Sequence, residues 1–141
     1  MKRIGLTIED IFNLKSAVIY NPDNFKTLRN VSIDSRKISK DCLFVAIKGQ
    51  RFDGHHFVDK AVSEGAIALL IDKRKLHEIN DFDIPVITVD DTIKALGELA
   101  KSWRKKLNTK IIGITGSAGK TSTKEMVAML LSTKYTFGFD L

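Results

Sequence analysis

A glycine-rich turn between a short apolar run and a helical pattern constrains this chain more than any other feature. Residues 110–126 have the sequence KIIGITGSAGKTSTKEM. The β-branched residues before the glycines suit a buried strand, and apolar residues recur at helical spacing after them. A helix that begins at the glycines directs its unpaired N–H groups and positive dipole end toward the turn. The sequence therefore predicts a phosphate-binding loop between a strand over residues 111–114 and a helix over residues 121–131.

Each residue type in this turn has a defined role in phosphate binding. Lys120 would neutralise the β- and γ-phosphates of a nucleotide and is the candidate catalytic residue, while the Thr121 hydroxyl would ligate Mg²⁺. Backbone N–H groups would wrap the phosphates, which leaves no room for bulky side chains. The predicted cofactor-binding residues are Gly116, Ser117, Ala118, Gly119, Lys120, Thr121 and Ser122.

One position departs from the strict pattern G-x-x-x-x-G-K-[ST]. The pattern requires a glycine at position 114, where this chain has Ile114, and its glycines are instead Gly113, Gly116 and Gly119. A glycine- and serine-rich connector with a surface lysine is the alternative interpretation. The order of strand, glycines, Lys-Thr and helix favours the phosphate loop, because that order is the one the mechanism requires.

Length and cysteine content exclude several classes of protein. A chain of 141 residues corresponds to one average domain, or to one small domain and part of another. Cys42 is the single cysteine, so an intramolecular disulfide is excluded, and its apolar surroundings predict a buried structural thiol. No run approaches the roughly 18 apolar residues of a membrane span. We therefore expect no membrane span and a cytoplasmic location.

The net charge of +6 has a local concentration at the end of one helical pattern. The basic residues there are Lys101, Arg104, Lys105, Lys106 and Lys110. Nucleic acid, an anionic small ligand or solubility alone could account for them. Trp103 is the only aromatic residue among them, and its register with apolar neighbours predicts a core position. We interpret the basic residues as a solvated helix face and expect no nucleic-acid partner; the oligomeric state is not predicted.

The remaining patterns alternate between strands and helices. Strand-like runs occupy residues 31–34, 42–47, 66–71 and 85–89, and helical patterns occupy residues 7–14, 57–62 and 91–107. Thr7 and Asp10 form a capping-box pattern, and Asp90 or Asp91 would cap the third helix. This alternation predicts an α/β fold with largely parallel strand pairing in the second half.

Five short motifs, taken together, resemble a known family. They are DSR at residues 34–36, LFVAIKG at 43–49, FDGHHF at 52–57, GA at 65–66 and GITGSAGKTSTKEM at 113–126. In this order and spacing the chain resembles the N-terminal portion of the Mur ligases, ATP-dependent enzymes that add amino acids to the UDP-linked peptidoglycan precursor.

The resemblance implies two domains. Residues 1–84 would form a small α/β domain that binds the UDP precursor, and residues 85–141 would begin a P-loop-type parallel α/β domain that binds ATP and Mg²⁺. The implied substrates are UDP-N-acetylmuramoyl-tripeptide and D-alanyl-D-alanine, joined by an amide bond through an acyl phosphate. A phosphate loop needs further strands, helices and acidic metal ligands around it. We therefore expect the second domain to be truncated, the chain to be inactive alone, and residues 85–141 to be loosely packed in isolation.

The motifs also carry candidate substrate-binding residues. They are Ser35, Arg36, Gln50, Arg51, Asp53 and His55. The two arginines can pair with a diphosphate, and the other side chains can hydrogen-bond a uracil or a ribose. The alternative is that residues 34–36 form a satisfied turn and residues 53–54 a plain tight turn.

Two other functions compete with an amide-forming ligase fragment. One is a non-catalytic module that binds UDP-sugars or nucleotides. The other is a different P-loop enzyme, either another Mur ligase, a ligase resembling folylpolyglutamate synthase, or a small kinase. The motifs between residues 34 and 57 argue against a kinase, which does not need them.

Overall fold

A computed structural model describes residues 5–107 and 109–135. The chain divides into two compact units, Met1–Asn108 and Thr109–Leu141. The helices are α1 (Ile8–Phe12), α2 (Val58–Ser63), α3 (Thr92–Lys106) and α4 (Lys120–Ser132), and the strands are β1 (Val18–Tyr20), β2 (Asn30–Ser32), β3 (Cys42–Val45), β4 (Ala68–Asp72) and β5 (Val86–Val89). Short 3₁₀ helices lie at Pro22–Asn24, Gly54–Phe57 and Lys73–Glu78.

The first unit is built on a five-stranded sheet in the order β1-β5-β4-β3-β2. Strands β2 to β5 are parallel, and β1 pairs with β5 in the antiparallel direction. In the middle of the sheet Leu43 lies opposite Ala68, and Leu70 lies opposite Ile87. The central strands are almost entirely apolar because both of their faces are covered. The predicted parallel α/β fold is confirmed, whereas the sequence patterns did not predict β1.

Alternate side chains of the sheet pack into two separate cores. On one face Leu70 and Ile87 contact a cluster that includes Ile11 of α1 and Leu99 of α3. On the other face Leu69 joins a cluster with Val58 and Ala61 of α2. The period of two along each strand therefore places the sheet between two helical layers. Cys42 is fully buried in β3, as predicted, and burial is the largest influence that raises the pKa of its thiol.

Two predicted helix caps are present in the first unit. The Thr7 N–H donates to the Asp10 carboxylate at 2.7 Å, and Asp91 accepts from the N–H groups of Ile93 and Lys94 at 3.0 Å. Asp91 rather than Asp90 is therefore the cap of α3.

The end of α3 departs in part from the predicted solvated face. Lys101, Arg104 and Lys105 are exposed, as expected. Lys106 instead donates to the Gly5 carbonyl oxygen at 2.9 Å and pairs with the Asp10 carboxylate. One lysine of the basic cluster thus joins the end of α3 to the start of α1.

The boundary between the compact units lies later than the domain boundary expected after residue 84. Strand β5 is a buried, interior strand of the first unit, and Leu99 of α3 belongs to its core. The expectation that residues 85–141 pack loosely is therefore wrong for β5 and α3. The second unit starts at Thr109.

The second unit contains α4 but not the strand predicted before it. Residues 109–119 form neither helix nor strand, and Ile111 and Ile112 are 52% and 61% exposed. A parallel strand exists only through hydrogen bonds to a neighbour, and β-branched composition does not replace that neighbour. Helix α4 begins directly after Gly119, as the glycine pattern predicts.

Within residues 5–107 and 109–135, none of the helices has both the length and the apolar composition needed to cross a membrane.

Candidate functional site

A cavity of about 410 Å³ lies beyond the carboxyl ends of β2 and β3. This is the edge at which open parallel sheets bind their ligands, because the loops after neighbouring strands diverge there. Its lining residues are Ile33, Asp34, Ser35, Arg36, Phe44, Ile47, Phe52, Gly54, Phe57 and Lys60. The fold thus brings the residues after β2 together with the loop after β3, which the sequence separates.

Apolar side chains form much of the cavity wall. Phe52 is 72% exposed and Phe57 is 40% exposed, whereas Phe44, the third phenylalanine of the lining, is buried. Exposed aromatic rings offer flat surfaces on which a planar heterocycle can stack. The sequence prediction did not include these residues among its substrate contacts. The sequence did offer one signal: Phe52 and Phe57 are the first and last residues of the motif FDGHHF, on either side of its polar residues.

Ser35 and Arg36 line the cavity, but the arginine already has a partner. Arg36 donates from Nε to Asp34 Oδ1 at 2.9 Å and from Nη2 to Oδ2 at 2.8 Å. Its backbone N–H also donates to Asp34 Oδ1, at 3.0 Å. The Arg36 guanidinium holds the pKa of Asp34 well below its usual range. The satisfied turn considered from sequence is therefore present, and it cancels much of the charge of Arg36.

Lys60 is the second cation that lines the cavity. It lies on α2, and its ammonium group makes no ion pair within the part of the chain that the structure describes. With Arg36 paired to Asp34, Lys60 supplies the net positive charge of this cavity. Sequence reasoning missed Lys60 because its place beside the cavity depends on how α2 packs against the sheet.

Gln50 and Arg51 lie at the tip of a tight hairpin over residues 48–53. Lys48 and Asp53 form an antiparallel bridge, and the Gly49 N–H donates to the Phe52 carbonyl oxygen at 2.9 Å. Gln50 and Arg51 are exposed and are absent from the cavity lining. The structure therefore separates them from Ser35 and Arg36, with which the sequence prediction grouped them.

Asp53 and His55 face a second, charged depression of about 290 Å³. The His55 residue is only 8% exposed. Its Nδ1 lies 2.6 Å from Asp53 Oδ1, and its Nε2 accepts from the Asp72 N–H at 3.0 Å. Burial is the largest influence on the pKa of Asp53 and raises it, but the hydrogen bonds from His55 outweigh it and lower the pKa. These two predicted substrate residues bind each other and do not line the larger cavity.

In the second unit, the glycine-rich loop is folded back on the start of α4. Gly119 has φ +73°, a conformation that favours glycine, and the Lys120 ammonium donates to the Gly116 carbonyl oxygen at 2.5 Å. Residues 116–122 are exposed at the N-terminus of a helix of 13 residues. Exposed N–H groups at a helix N-terminus generally attract anions, whereas the Lys120 ammonium already has a partner in this loop. Among the described residues no cluster of three His, Cys, Asp or Glu could hold a metal ion.

These features define an α/β protein with a cavity at the carboxyl edge of a parallel sheet and, in its second unit, a glycine-capped helix. The family model described as "Mur ligase family, catalytic domain" matches residues 27–104. The chain belongs to the Mur ligase family.

Curated relatives agree with this assignment. The chain is 40% identical over 133 residues to the UDP-N-acetylmuramoyl-tripeptide--D-alanyl-D-alanine ligase of Bacillus subtilis, a match that covers 94% of this chain and 29% of the relative. It is 42% identical over 139 residues to the ligase of the same name from Escherichia coli, covering 96% of this chain and 29% of the relative. The chain thus spans less than a third of the length of these relatives.

Solved structures are similar in fold as well. A crystal structure of MurF from Acinetobacter baumannii matches with a TM-score of 0.76 and 30% identity, over 95% of this chain and 29% of that one. MurF from Thermotoga maritima in complex with ADP matches with a TM-score of 0.63 and 33% identity, over 74% of this chain and 23% of that one.

Proposed function

We propose that this chain contributes the UDP-binding unit and the first part of the ATP site to a ligase that joins D-alanyl-D-alanine to UDP-N-acetylmuramoyl-tripeptide. The observation that carries the proposal is the cavity of about 410 Å³ at the carboxyl edge of the sheet, in a chain 40% identical to a ligase of that name. Its volume falls within the range of small-molecule sites, roughly 300–1,000 Å³.

The cavity chemistry suits the nucleotide end of the substrate. Phe52 and Phe57 offer exposed rings to a planar base, and Ser35, in the cavity lining, offers a hydroxyl. Lys60 offers an unpaired positive charge to a diphosphate. Arg36 contributes less than the sequence predicted, because Asp34 competes for its guanidinium. Gln50 and Arg51 could contribute from the hairpin tip.

The second unit supplies residues suited to ATP. Lys120 and the backbone of residues 116–122 would hold the phosphates, and Thr121 would ligate Mg²⁺. ATP supplies the phosphoryl group that converts the substrate carboxylate to an acyl phosphate, from which an amine displaces phosphate. The likeness to MurF solved with ADP supports this role. A cytoplasmic location and small-molecule partners without nucleic acid belong to the same proposal.

A different Mur ligase is the second candidate. The chain is 37% identical over 120 residues to the UDP-N-acetylmuramoyl-L-alanyl-D-glutamate--2,6-diaminopimelate ligase of Aquifex aeolicus, covering 82% of this chain and 24% of the relative. The two candidates share the UDP end of the substrate and differ in the length of its peptide.

Calorimetric titration of the chain with UDP-N-acetylmuramoyl-tripeptide, the corresponding dipeptide compound, and Mg-ATP tests the proposal. We expect the tripeptide compound to bind and UDP to compete with it, since the cavity is assigned to the nucleotide end. Tighter binding of the dipeptide compound would favour the second candidate. Binding of ATP with no binding of either UDP compound would contradict the assignment of the cavity.

A further inference from the structure

His55 ties the hairpin of residues 48–53 to the end of β4. The contact to Asp72 spans 17 positions of sequence, and the contact to Asp53 spans only two. His55 is therefore a link between the loop after β3 and the neighbouring strand. Both ring nitrogens are engaged, so the imidazole has no nitrogen available for a substrate.

The hydrogen bonds define one protonation state of the ring. A backbone N–H can only donate, so His55 Nε2 must accept from Asp72 and carries no proton. The proton then lies on Nδ1 and is donated to Asp53 Oδ1 at 2.6 Å. Protonation of Nε2 would turn this acceptor into a donor that faces the Asp72 N–H, and the link to β4 would break.

The backbone beside this link has little freedom to move. The Gly54 N–H donates to the Ile47 carbonyl oxygen at 2.8 Å, and a Cβ on Gly54 would lie 2.7 Å from the Ile47 nitrogen. Phe52 precedes Asp53 directly and forms part of the cavity wall. The position of that wall is consequently set by the segment that His55 anchors.

We propose that His55 is a positioning residue: its link from Asp53 to the Asp72 backbone holds the hairpin so that Phe52 faces the nucleotide cavity. The effect on the hairpin follows from the contacts alone. The effect on ligand affinity rests on the proposed function, that the cavity binds the UDP end of the substrate.

The charged groups around His55 come from three segments. The hairpin provides Lys48 and Asp53, the end of β4 provides Asp72, and the 3₁₀ helix Lys73–Glu78 provides Arg74, Lys75 and Glu78. Arg74 lowers the pKa of Asp72 to about 2, and the pKa of Asp53 is also lowered. These two carboxylates therefore stay ionised at neutral pH, so His55 lies between two negative charges.

Two substitutions test the two hydrogen bonds of the His55 imidazole separately. His55→Gln places an amide oxygen near the position of Nε2 and retains an acceptor for the Asp72 N–H. His55→Asn retains a donor near the position of Nδ1 and has no group that reaches Asp72. If His55 only filled space, the two variants would not differ in how well they retain the hydrogen bond to the Asp72 N–H.

Amide hydrogen exchange, followed residue by residue, tests the link without any ligand. At pH 7.5 we expect His55→Asn to accelerate exchange at Asp72, Gly49 and Gly54 by about tenfold, the effect of one lost hydrogen bond, while the amide of Ile87 in β5 is unchanged. His55→Gln should retain the protection of Asp72.

Measuring ligand affinity tests whether the hydrogen bonds of His55 act on the ligand through the position of Phe52. For UDP-N-acetylmuramoyl-tripeptide we expect about tenfold weaker binding in His55→Asn. Adding Phe52→Ala should weaken binding little further, because both changes remove the same wall, whereas Lys60→Met should add its full effect. Unchanged exchange in the hairpin of His55→Asn, or full additivity with Phe52→Ala, would overturn the inference. Accelerated exchange in a chain whose wild type does not bind the UDP compound would confirm the link and overturn the proposed function.

If His55→Asn fails to fold, exchange will also rise at Ile87. His55→Gln then tests the same link, because it keeps an acceptor for the Asp72 N–H: loss of protection at the Asp72 amide with Ile87 unchanged would contradict it.

Discussion

The two compact units differ in how their motifs are assembled: the motif residues of the first unit are scattered along the sequence, and those of the second are contiguous. In the first unit, residues far apart in sequence meet at one cavity because parallel strands align their carboxyl ends. In the second unit, adjacent residues form a glycine-capped helix without needing distant partners. Leu70 of the first unit is fully buried, while Met129 and Leu130 of α4 are 71% and 74% exposed. Local signals thus specify where a helix starts, whereas pairing between distant strands specifies a core and the cavity at its edge.

Truncating one leucine in each unit should give the largest difference in the free energy of unfolding. Leu70→Ala removes a fully buried side chain from the central strand β4, and we expect a loss of about 2–5 kcal/mol in the free energy of unfolding. Leu130→Ala removes a mostly exposed side chain, and we expect a change within about 0.5 kcal/mol. Urea unfolding followed by the fluorescence of Trp103, the single tryptophan, measures the first variant, and amide exchange within α4 measures the second. Equal losses would show that the contrast between the units is false.

A methyl group on one glycine of each unit tests two different constraints. Gly54→Ala places Cβ against the Ile47 backbone, and we expect a loss of about 1–3 kcal/mol. Gly119→Ala meets no neighbour but forces alanine to φ +73°, which costs about 1–2 kcal/mol and should accelerate amide exchange in the first turn of α4.

Gly97→Ala is the matched control for both glycine variants. Gly97 lies inside α3 and has open space at its Cβ position, so alanine should stabilise the first unit by about 0.5–1 kcal/mol. Thermal unfolding of the variants should therefore rank Gly97→Ala above the wild type and Gly54→Ala below it. An unchanged Tm in Gly54→Ala would mean that the loop after β3 is not closely packed.

Removing one lysine from each unit should separate the two ligands. Lys60→Met should weaken binding of UDP-N-acetylmuramoyl-tripeptide about tenfold, close to 1.4 kcal/mol, and leave Mg-ATP unaffected. Lys120→Met should weaken Mg-ATP binding by a similar factor and leave the UDP compound unaffected. Calorimetry on both variants measures this, with Lys37→Met as a control lysine that does not line the cavity. A loss of both ligands in either variant would contradict the division of roles.

Surface ion pairs of the first unit should have the smallest effect. Arg74 lowers the pKa of Asp72 from 3.8 to about 2, so the pair stabilises the folded state above pH 4 and loses that contribution as the pH falls toward 2. Arg74→Gln should lower the Tm at pH 7 by no more than about 3 °C, and the difference should shrink as the pH approaches 2. Lys26→Gln, outside the ion pairs of the described residues, is the control. A difference that grows at low pH would reverse the assigned sign.

Most elements of the first unit could be predicted from residue patterns. The apolar runs located β3, β4 and β5, and the capping signals located α1 and α3. Strand β1 escaped prediction because its place in the sheet depends on antiparallel pairing with β5, which is distant in sequence. The strand expected at residues 111–114 shows the opposite error, since an apolar β-branched run was present and no strand among the described residues paired with it.

The sequence predicted several residues of the candidate site but not which of them lie together. Ser35 and Arg36 were found from sequence and do line the cavity, but Asp53 and His55 turned out to bind each other beside it. Phe52, Phe57 and Lys60 were missed because a side chain's exposure and the packing of α2 are not local properties.

What the sequence determined by itself is therefore local: the period of each strand and helix, the caps, and the glycines that allow the turn before α4. Only the tertiary structure decided that Arg36 would be paired with Asp34 rather than available to a ligand, and that His55 would join a hairpin to β4. The physical reason is that hydrogen bonds and charges compete for partners at distances of about 3 Å, and which partners meet depends on the packed sheet and not on the order of residues.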